Sequence, residues 1–257
     1  MLTNFDYGMN INNVEDSCIL SATREMKAYN YPPKINSSNK KILTIMACHT
    51  NNVIKFNTVL NNIKYFRFMN NDIVVINSQG ESHSKQLRES LQNNVEAFFE
   101  IPNNTHLDIG KWCFILSKIN YKLYDHVIFT NDSFLITSPI LHFFNKMMKS
   151  NVELYGYNDS TQIRYHYQSY LFSLRTHAVD KLIGLYLGRK HLLWNYNQVV
   201  ENIELNLVNT FKTTDCFLKI GHLYGLKKKN IFFNNDSLYK KLLQTKLLPF
   251  VKLKRLR

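Results

Sequence analysis

The first candidate for chemistry in this chain is the short polar group Asn131-Asp132-Ser133, which follows directly on an apolar run ending at Thr130. A carboxylate in such a place can hold a divalent cation, which in turn neutralises a diphosphate leaving group. The same residue types are also common in turns and at helix N-termini, where they cap backbone N–H groups. Taken alone, this group therefore leaves a diphosphate site and a structural turn both open.

Other polar segments lie on either side of this group. Residues 104–111 precede it by one predicted helix and include Asp108, which could cap that helix or accept a hydrogen bond from a ribose or a base edge. Residues 154–160 indicate a strand and a turn, and residues 165–172 alternate aromatic and polar side chains that suit contacts to sugar faces. Together these segments favour a nucleotide or carbohydrate ligand.

The elements that must position these residues alternate in type along the chain. Apolar runs of strand length lie at residues 41–48, 72–77, 95–101 and 124–130. Helical segments are predicted between them, at residues 53–68, 82–93 and 108–120. This alternation predicts an α/β fold with a mainly parallel sheet and helices on both faces.

The predicted strands end in hydrogen-bonding side chains. The ends are His49-Thr50-Asn51, residues 77–80, residues 102–104 and residues 131–133. Because ligands of open α/β sheets bind beyond the carboxyl ends of the strands, we expect a nucleotide site at this edge. No GxGxxG, GxxxxGK[ST] or GxSxG motif is present, so dinucleotide-binding, P-loop and serine-hydrolase interpretations lose their main support.

Composition and charge exclude further classes. The 257 residues are 45% hydrophobic, enough for one substantial domain, and carry a formal net charge of +13. The four cysteines are widely scattered, which argues against a secreted disulfide scaffold and a zinc finger. The sequence shows no signal peptide and no apolar run long enough to span a bilayer, so we expect a cytoplasmic protein. The asparagine-rich composition is typical of an AT-rich viral or microbial genome.

The two ends of the chain differ from its middle. Residues 1–40 are polar and predict a leader segment before a domain at 41–257. Residues 219–257 contain eleven Lys or Arg and one acid, with leucines spaced as in an amphipathic helix. This basic helical C-terminal tail favours peripheral contact with an anionic membrane surface, while a solvated basic face stays open. A nucleic-acid partner has less support, because no nucleic-acid-binding motif accompanies the charge.

Six short motifs occur here in the same order as in a known family. They are Asn104 with Asp108-Ile109-Gly110, then Asn131-Asp132-Ser133, Tyr155-Gly156, residues 166–171, residues 203–205 and residues 249–252. Over residues 41–255 the chain thus resembles the rhamnan-synthesis F-type glycosyltransferases, which have a GT-A-like fold. The resemblance implies a single GT-A-like domain that transfers a sugar such as rhamnose from a UDP- or dTDP-linked donor to a glycan acceptor with Mg²⁺ or Mn²⁺.

The sequence departs from the family pattern at three positions. His106 and Leu107 stand where the family has Gly and Arg, close to the expected diphosphate or sugar, so the donor preference is expected to differ. Tyr155 replaces a tryptophan before Gly156, which keeps an aromatic surface.

The resemblance assigns donor-side roles to several residues. It implies that Asp132 is a metal ligand, that Asn131 and Ser133 orient the phosphates, and that His222 closes over the metal. Further donor contacts are expected from the first strand end and from the start of the third predicted helix: Thr50, Asn51, Asn104, Asp108 and Lys111. A plain turn stays an alternative for Thr50 and Asn51, helix capping for Asp108 and a solvated side chain for Lys111.

Acceptor-side roles fall on the second half of the chain. Asp159 is a candidate general base if the enzyme inverts configuration, with an Asx-turn as its alternative. Glu204 lies among apolar residues and is a second candidate base, with a helix-surface position as its alternative. Tyr155, His166 and Gln168 are expected to contact the acceptor or the donor sugar.

Three functions follow from these observations. The leading one is a metal-assisted glycosyltransferase. A protein that binds nucleic acid or another polyanion through the basic tail is the first alternative. A catalytically inactive sugar-binding member of the same fold is the second, given the changes around Asp108.

Overall fold

A computed structural model describes residues 41–78, 84–219 and 249–253. The predicted leader, His222 and the basic tail apart from residues 219 and 249–253 lie outside the described residues. The strands are β1 Ile42–Cys48, β2 Asp72–Ser78, β3 Ala97–Ile101, β4 His126–Asn131, β5 Phe134–Ile136, β6 Leu154–Ser160, β7 His166–Tyr167, β8 Leu171–Arg175, β9 Thr214–Leu218 and β10 Phe250–Lys252. The helices are α1 Val53–Phe68, α2 Ser84–Leu91, α3 Leu107–Lys118, α4 Leu141–Lys149, α5 Val179–Arg189, α6 Tyr196–Asn202 and α7 Leu207–Thr210.

The sheet confirms the predicted mainly parallel α/β architecture. Its strand order is β3-β2-β1-β4-β8-β6-β7, with β9 paired to β6. Strands β1 to β4 are parallel, β8 is antiparallel to both β4 and β6, and β9 runs parallel to β6. The carboxyl ends of β1, β2, β3 and β4 therefore meet at one edge, as the sequence predicts.

Helices cover both faces of the sheet because alternate residues of the central strands point to opposite sides. In β1, Met46 packs in one hydrophobic cluster, together with Val59 and Phe66 of α1. Ile45 packs in the other, together with Trp112 of α3. All seven residues of β1 are buried, which is the pattern of a central strand covered on two sides.

Two segments differ from the sequence-based expectation. Residues 158–160 were expected to form a turn, but they complete β6, where Asp159 and Ser160 pair with β7. Residues 250–252, expected in the helical tail, instead form β10 and pair with β5. The reason is tertiary: the ring of Phe250 lies 5.0 Å from that of Phe134 and 4.8 Å from that of Tyr157, so the core favours an extended backbone here. Among the described residues, no helix has the length and apolarity to cross a membrane.

The contact between β6 and β7 depends on a glycine. A Cβ added at Gly156 would lie 2.9 Å from the ring of Tyr167, closer than Cβ atoms approach their non-bonded neighbours in folded proteins. We expect Gly156→Ala to destabilise the fold by roughly 1–3 kcal/mol, because a packed core tolerates no added methyl group without strain. Urea unfolding monitored by circular dichroism measures this change.

Gly184 in α5 provides the matched control, because nothing lies within 4 Å of a Cβ added there. Gly184→Ala is expected to raise the free energy of unfolding by about 0.5–1 kcal/mol through the lower backbone entropy of the unfolded chain. Equal effects of the two substitutions would contradict the packing of Gly156 against Tyr167.

Candidate active site

A cavity of about 810 Å³ opens at the carboxyl edge of the parallel strands. Eight of the predicted site residues line it: Asn104, Asp108, Asn131, Asp132, Ser133, His166, Gln168 and Glu204. The remaining wall comes largely from the start of α1, from α6 and from the segment between β6 and β7. The structure thus brings most of the predicted donor and acceptor residues to one place.

A chain of hydrogen bonds joins three neighbouring strand ends. The backbone N–H of His49, just after β1, donates to Oδ2 of Asp132, just after β4, over 2.7 Å. The His49 ring contacts the Ser78 hydroxyl at the end of β2, with 2.8 Å between Nδ1 and Oγ. The one hydroxyl proton of Ser78 has two acceptors in reach, the Cys48 carbonyl at 3.3 Å and Asn104 Oδ1 at 3.4 Å. These bonds fix the position of the Asp132 carboxylate relative to the edge of the sheet.

Asn131 connects the polar group after β4 to helix α3. Its amide nitrogen donates to Asp108 Oδ2 at 2.7 Å, and its carbonyl oxygen accepts from the Ser133 hydroxyl at 2.6 Å. Asp108 therefore does not act as the cap of α3, a position that His106 occupies. His106 and Leu107 have φ values of 57° and 52°, and this left-handed pair turns the chain into the helix directly before Asp108.

Lys111 is buried and does not line the cavity, so its solvated alternative is wrong and its placement does not support the predicted phosphate contact. Its side chain is fully buried, and Nζ donates to the Cys48 carbonyl at 2.7 Å. Burial lowers the pKa of Lys111, while Asp108 and Asp132 oppose that shift. Burial likewise raises the pKa of Asp108, against the effect of Lys111. The buried ammonium group of Lys111 thus offsets the negative charge of the Asp108 and Asp132 carboxylates.

The Asp132 carboxylate is paired with a lysine. Lys55 Nζ lies 3.3 Å from Oδ2 and 3.4 Å from Oδ1, and also donates to the His49 carbonyl at 3.0 Å. The described residues contain no group of three or more His, Cys, Asp or Glu side chains arranged to hold a metal ion. His222, the other expected ligand, lies outside them. Among the described residues, the predicted ligand Asp132 lines the cavity with its carboxylate already paired with the Lys55 ammonium group.

Glu204 and His166 form the opposite wall of the cavity. Glu204 lies in a short 3₁₀ turn, where its Oε2 accepts from the Ser169 hydroxyl at 3.0 Å. His166 Nδ1 lies 2.8 Å from the Arg164 carbonyl, which requires a proton on Nδ1 and turns Nε2 towards Glu204 Oε1, 3.7 Å away. The carboxylate is therefore held in place at the cavity rather than on a helix surface.

Besides Lys111, four predicted site residues do not reach the cavity. Thr50 is buried and bonds through both its N–H and its hydroxyl to Asn77, and Asn51 is exposed beyond the strand end. Tyr155 packs in the core against Phe143, with 5.7 Å between ring centroids, so it offers no surface to a sugar. Asp159 is 2% exposed within β6, so its predicted role as a general base is not supported by its placement.

Sequence reasoning missed several residues of the cavity wall, above all Lys55 and Lys252. Lys252 belongs to the closing motif of the resemblance, but a lysine between Val251 and Leu253 carries no signal of what it touches. Lys55 could have been found, because it lies in the first turn after β1 and such turns face the ligand crevice. Tyr196 of α6 also lines the rim, with 67% of its surface exposed.

No known protein-family profile matches the chain. Over 219 residues, 82% of this chain and 68% of the relative, it is 28% identical to virulence protein VirA of Vibrio anguillarum. Among solved structures it is similar to the bifunctional glycosyltransferase WbbM, with a TM-score of 0.49, 11% identity and coverage of 84% of this chain and 46% of WbbM. The chain therefore spans less than half the length of WbbM.

Two further solved structures extend this comparison. Residues 1–349 of S. aureus TarS in complex with UDP-GlcNAc have a TM-score of 0.47 at 9% identity, covering 69% of this chain and 56% of that TarS fragment. The mannosyltransferase PcManGT of Pyrobaculum calidifontis, in complex with GDP-Man and Mn²⁺, has a TM-score of 0.41 at 9% identity, covering 57% of this chain and 47% of PcManGT.

His106, which has a left-handed backbone conformation, predicts how the free energy of unfolding depends on pH. Burial lowers its pKa to about 4, with a further contribution from Lys190, whereas an unfolded histidine titrates near 6.5. The unfolded state thus binds more protons between these values, and the free energy of unfolding falls as the pH drops through this window. We expect this loss to reach up to about 3 kcal/mol.

His106→Asn should reduce that pH dependence, because Asn also tolerates a positive φ but does not titrate. Urea unfolding at pH 7, 6, 5 and 4.5 measures it. His142→Gln is the control, since His142 is exposed on α4 and its replacement should leave the slope unchanged. An unaltered slope in His106→Asn would show that His106 is not buried in its neutral form.

Proposed function

We propose that this protein is a glycosyltransferase that moves a sugar from a nucleoside-diphosphate donor to a hydroxyl group of a glycan acceptor. The observation that carries the proposal is that one cavity joins two different kinds of polar wall. On one side lies the strand-end cluster around Asp108 and Asp132, at the edge where parallel α/β sheets bind nucleotides. On the other lies Glu204, a carboxylate oriented by Ser169 and His166.

Glu204 takes the role of the general base. In an inverting transfer the acceptor oxygen bonds to the anomeric carbon, the bond from that carbon to the diphosphate oxygen breaks, and the hydroxyl proton passes to the base. The Ser169 hydroxyl holds one carboxylate oxygen of Glu204, and His166 faces the other. Glu204 replaces Asp159 in this role, because Asp159 is buried within β6.

Acceptor binding falls to the rim formed by α6 and by the segment after β6. Tyr196 and Ile163 expose 67% and 61% of their surfaces there, although apolar side chains of this size are usually covered. An exposed aromatic ring beside a polar pocket suits stacking on the apolar face of a sugar. Gln168, which also lines the cavity, adds hydrogen-bonding capacity.

The donor class proposed first is a UDP- or dTDP-linked sugar, with rhamnose as the first sugar to screen. This choice rests on the resemblance to the rhamnan-synthesis F-type family and on no contact in the cavity. The transfer also needs positive charge beside the leaving diphosphate. Lys55 and Lys252, which both line the cavity, are the candidates to supply it.

Calorimetric titration of UDP, dTDP and GDP into the protein tests the donor class. We expect one of them to bind, and Asp132→Asn to weaken that binding by about tenfold or more, because Lys55 loses the carboxylate that holds its ammonium group in place. Asp215→Asn is the matched control, since Asp215 pairs with Lys219 on β9, away from the cavity. If no nucleoside diphosphate binds, the transferase proposal fails.

Glu204→Gln tests the base. We expect turnover with the identified donor and acceptor to fall by about 10²–10⁴-fold while donor binding stays within about threefold, because proton transfer alone is removed. The exposed Glu89 of α2 provides the control, and Glu89→Gln should leave turnover unchanged. Unchanged turnover in Glu204→Gln would exclude it as the base. Donor binding by the wild type without any turnover would instead indicate a sugar-binding protein.

A further inference from the structure

We propose that the ammonium groups of Lys55 and Lys252 bind the donor diphosphate, and that they take the place of the divalent cation that the resemblance implies. The inference rests on the proposed function, since it assumes that a nucleoside diphosphate occupies the cavity. The inference goes beyond the proposed function by assigning the phosphate contacts to two residues and by predicting that the nucleotide binds without a metal ion. Both lysines line the cavity.

Lys55 is placed by the start of α1. The side chain of Asn52 caps this helix by accepting the backbone N–H of Lys55 at 2.9 Å, so the first turn begins directly beyond β1. From there Nζ reaches both oxygens of Asp132 and the carbonyl of His49. A metal ion bound to Asp132 would have to share this carboxylate with an ammonium group that already neutralises it.

The two side chains of the Lys55–Asp132 pair differ in exposure. The Lys55 side chain is 25% exposed, whereas that of Asp132 is only 7% exposed. Both side chains line the cavity, and the lysine is the more accessible of the two to a ligand bound there.

Lys252 approaches the same segment from a different element. Strand β10 pairs with β5 directly after Asp132-Ser133, and this pairing brings Lys252 Nζ within 3.0 Å of the Ser133 hydroxyl. Nζ also lies 3.6 Å from the centroid of the Tyr170 ring, a cation–π contact that holds the charge in place. Lys55 and Lys252 thus touch the consecutive residues Asp132 and Ser133, as two cations that flank one anion would.

The charges around Asp108 and Asp132 favour an anion only because three lysines, Lys55, Lys111 and Lys252, lie near them. Asp108 and Asp132 would by themselves repel a diphosphate. Buried Lys111 lies close enough to both to affect their ionisation, and Lys55 pairs with Asp132 directly. With those two carboxylates balanced by Lys111 and Lys55, Lys252 adds positive charge at the position where the leaving group gains negative charge.

The test is calorimetric titration of UDP, dTDP and GDP into the full chain, once with excess EDTA and once with Mn²⁺. We expect the nucleotide that binds to do so in EDTA with an affinity within about threefold of that in Mn²⁺. Lys55→Met and Lys252→Met should each weaken binding in EDTA by about tenfold to a hundredfold, because each removes a charge-assisted contact to phosphate.

Lys64→Met is the matched control, since Lys64 lies on the same helix as Lys55 but is exposed and outside the cavity. It should bind like the wild type. Lys252→Arg should retain most of the affinity, because it keeps the positive charge. If Lys252→Met fails to fold by circular dichroism, the partly exposed Lys55→Met decides the question alone.

The outcomes separate this inference from the proposed function. Binding that EDTA abolishes and Mn²⁺ restores, with Lys55→Met equal to the wild type, would overturn the lysine assignment and leave the transferase proposal standing. Absence of binding under both conditions would overturn both. Binding in EDTA that Lys55→Met weakens and Lys64→Met does not would establish the metal-independent diphosphate site.

Discussion

The site depends on the hydrogen bond from the His49 backbone N–H to the Asp132 carboxylate. Strands β1 and β4 are neighbours in the sheet, but residues beyond their ends have no ladder partners to hold them. This bond, continued through the His49 ring to Ser78, replaces the ladder and closes the strand edge. Charge-assisted bonds of this kind are short and strong, so the position of Asp132 is set by the sheet itself.

Placing two carboxylates at this edge has an electrostatic cost that other residues must offset. Burial penalises the charged forms of both Asp108 and Lys111, and each favours the charged form of the other. A buried lysine and a partly exposed one therefore serve different purposes. Lys111 favours the charged form of Asp108 from within the core, whereas Lys55 pairs with Asp132 at the cavity.

The cavity also unites parts of the chain that are far apart in sequence. The donor side is built from strand ends and the starts of α1 and α3, all within the first half of the domain. The acceptor side comes from the β6–β7 segment, α6 and the turn that carries Glu204. Strand β10 returns to β5 and adds Lys252 at the boundary between the two sides. A transfer reaction needs such a boundary, because the leaving group and the nucleophile must meet there.

The sequence by itself determined the βα alternation, the strand ends and the place of Asp132. Hydrophobic periodicity and the polar residues that follow each apolar run are local properties of the chain. It could not determine that Asp159 and Tyr155 turn into the core, since the facing direction of a strand residue depends on its partners. Nor could it assign Lys55, Lys111 and Lys252 to a paired, a buried and a ring-stacked position. Identical side chains acquire different roles only from the charges and rings that the tertiary structure places around them.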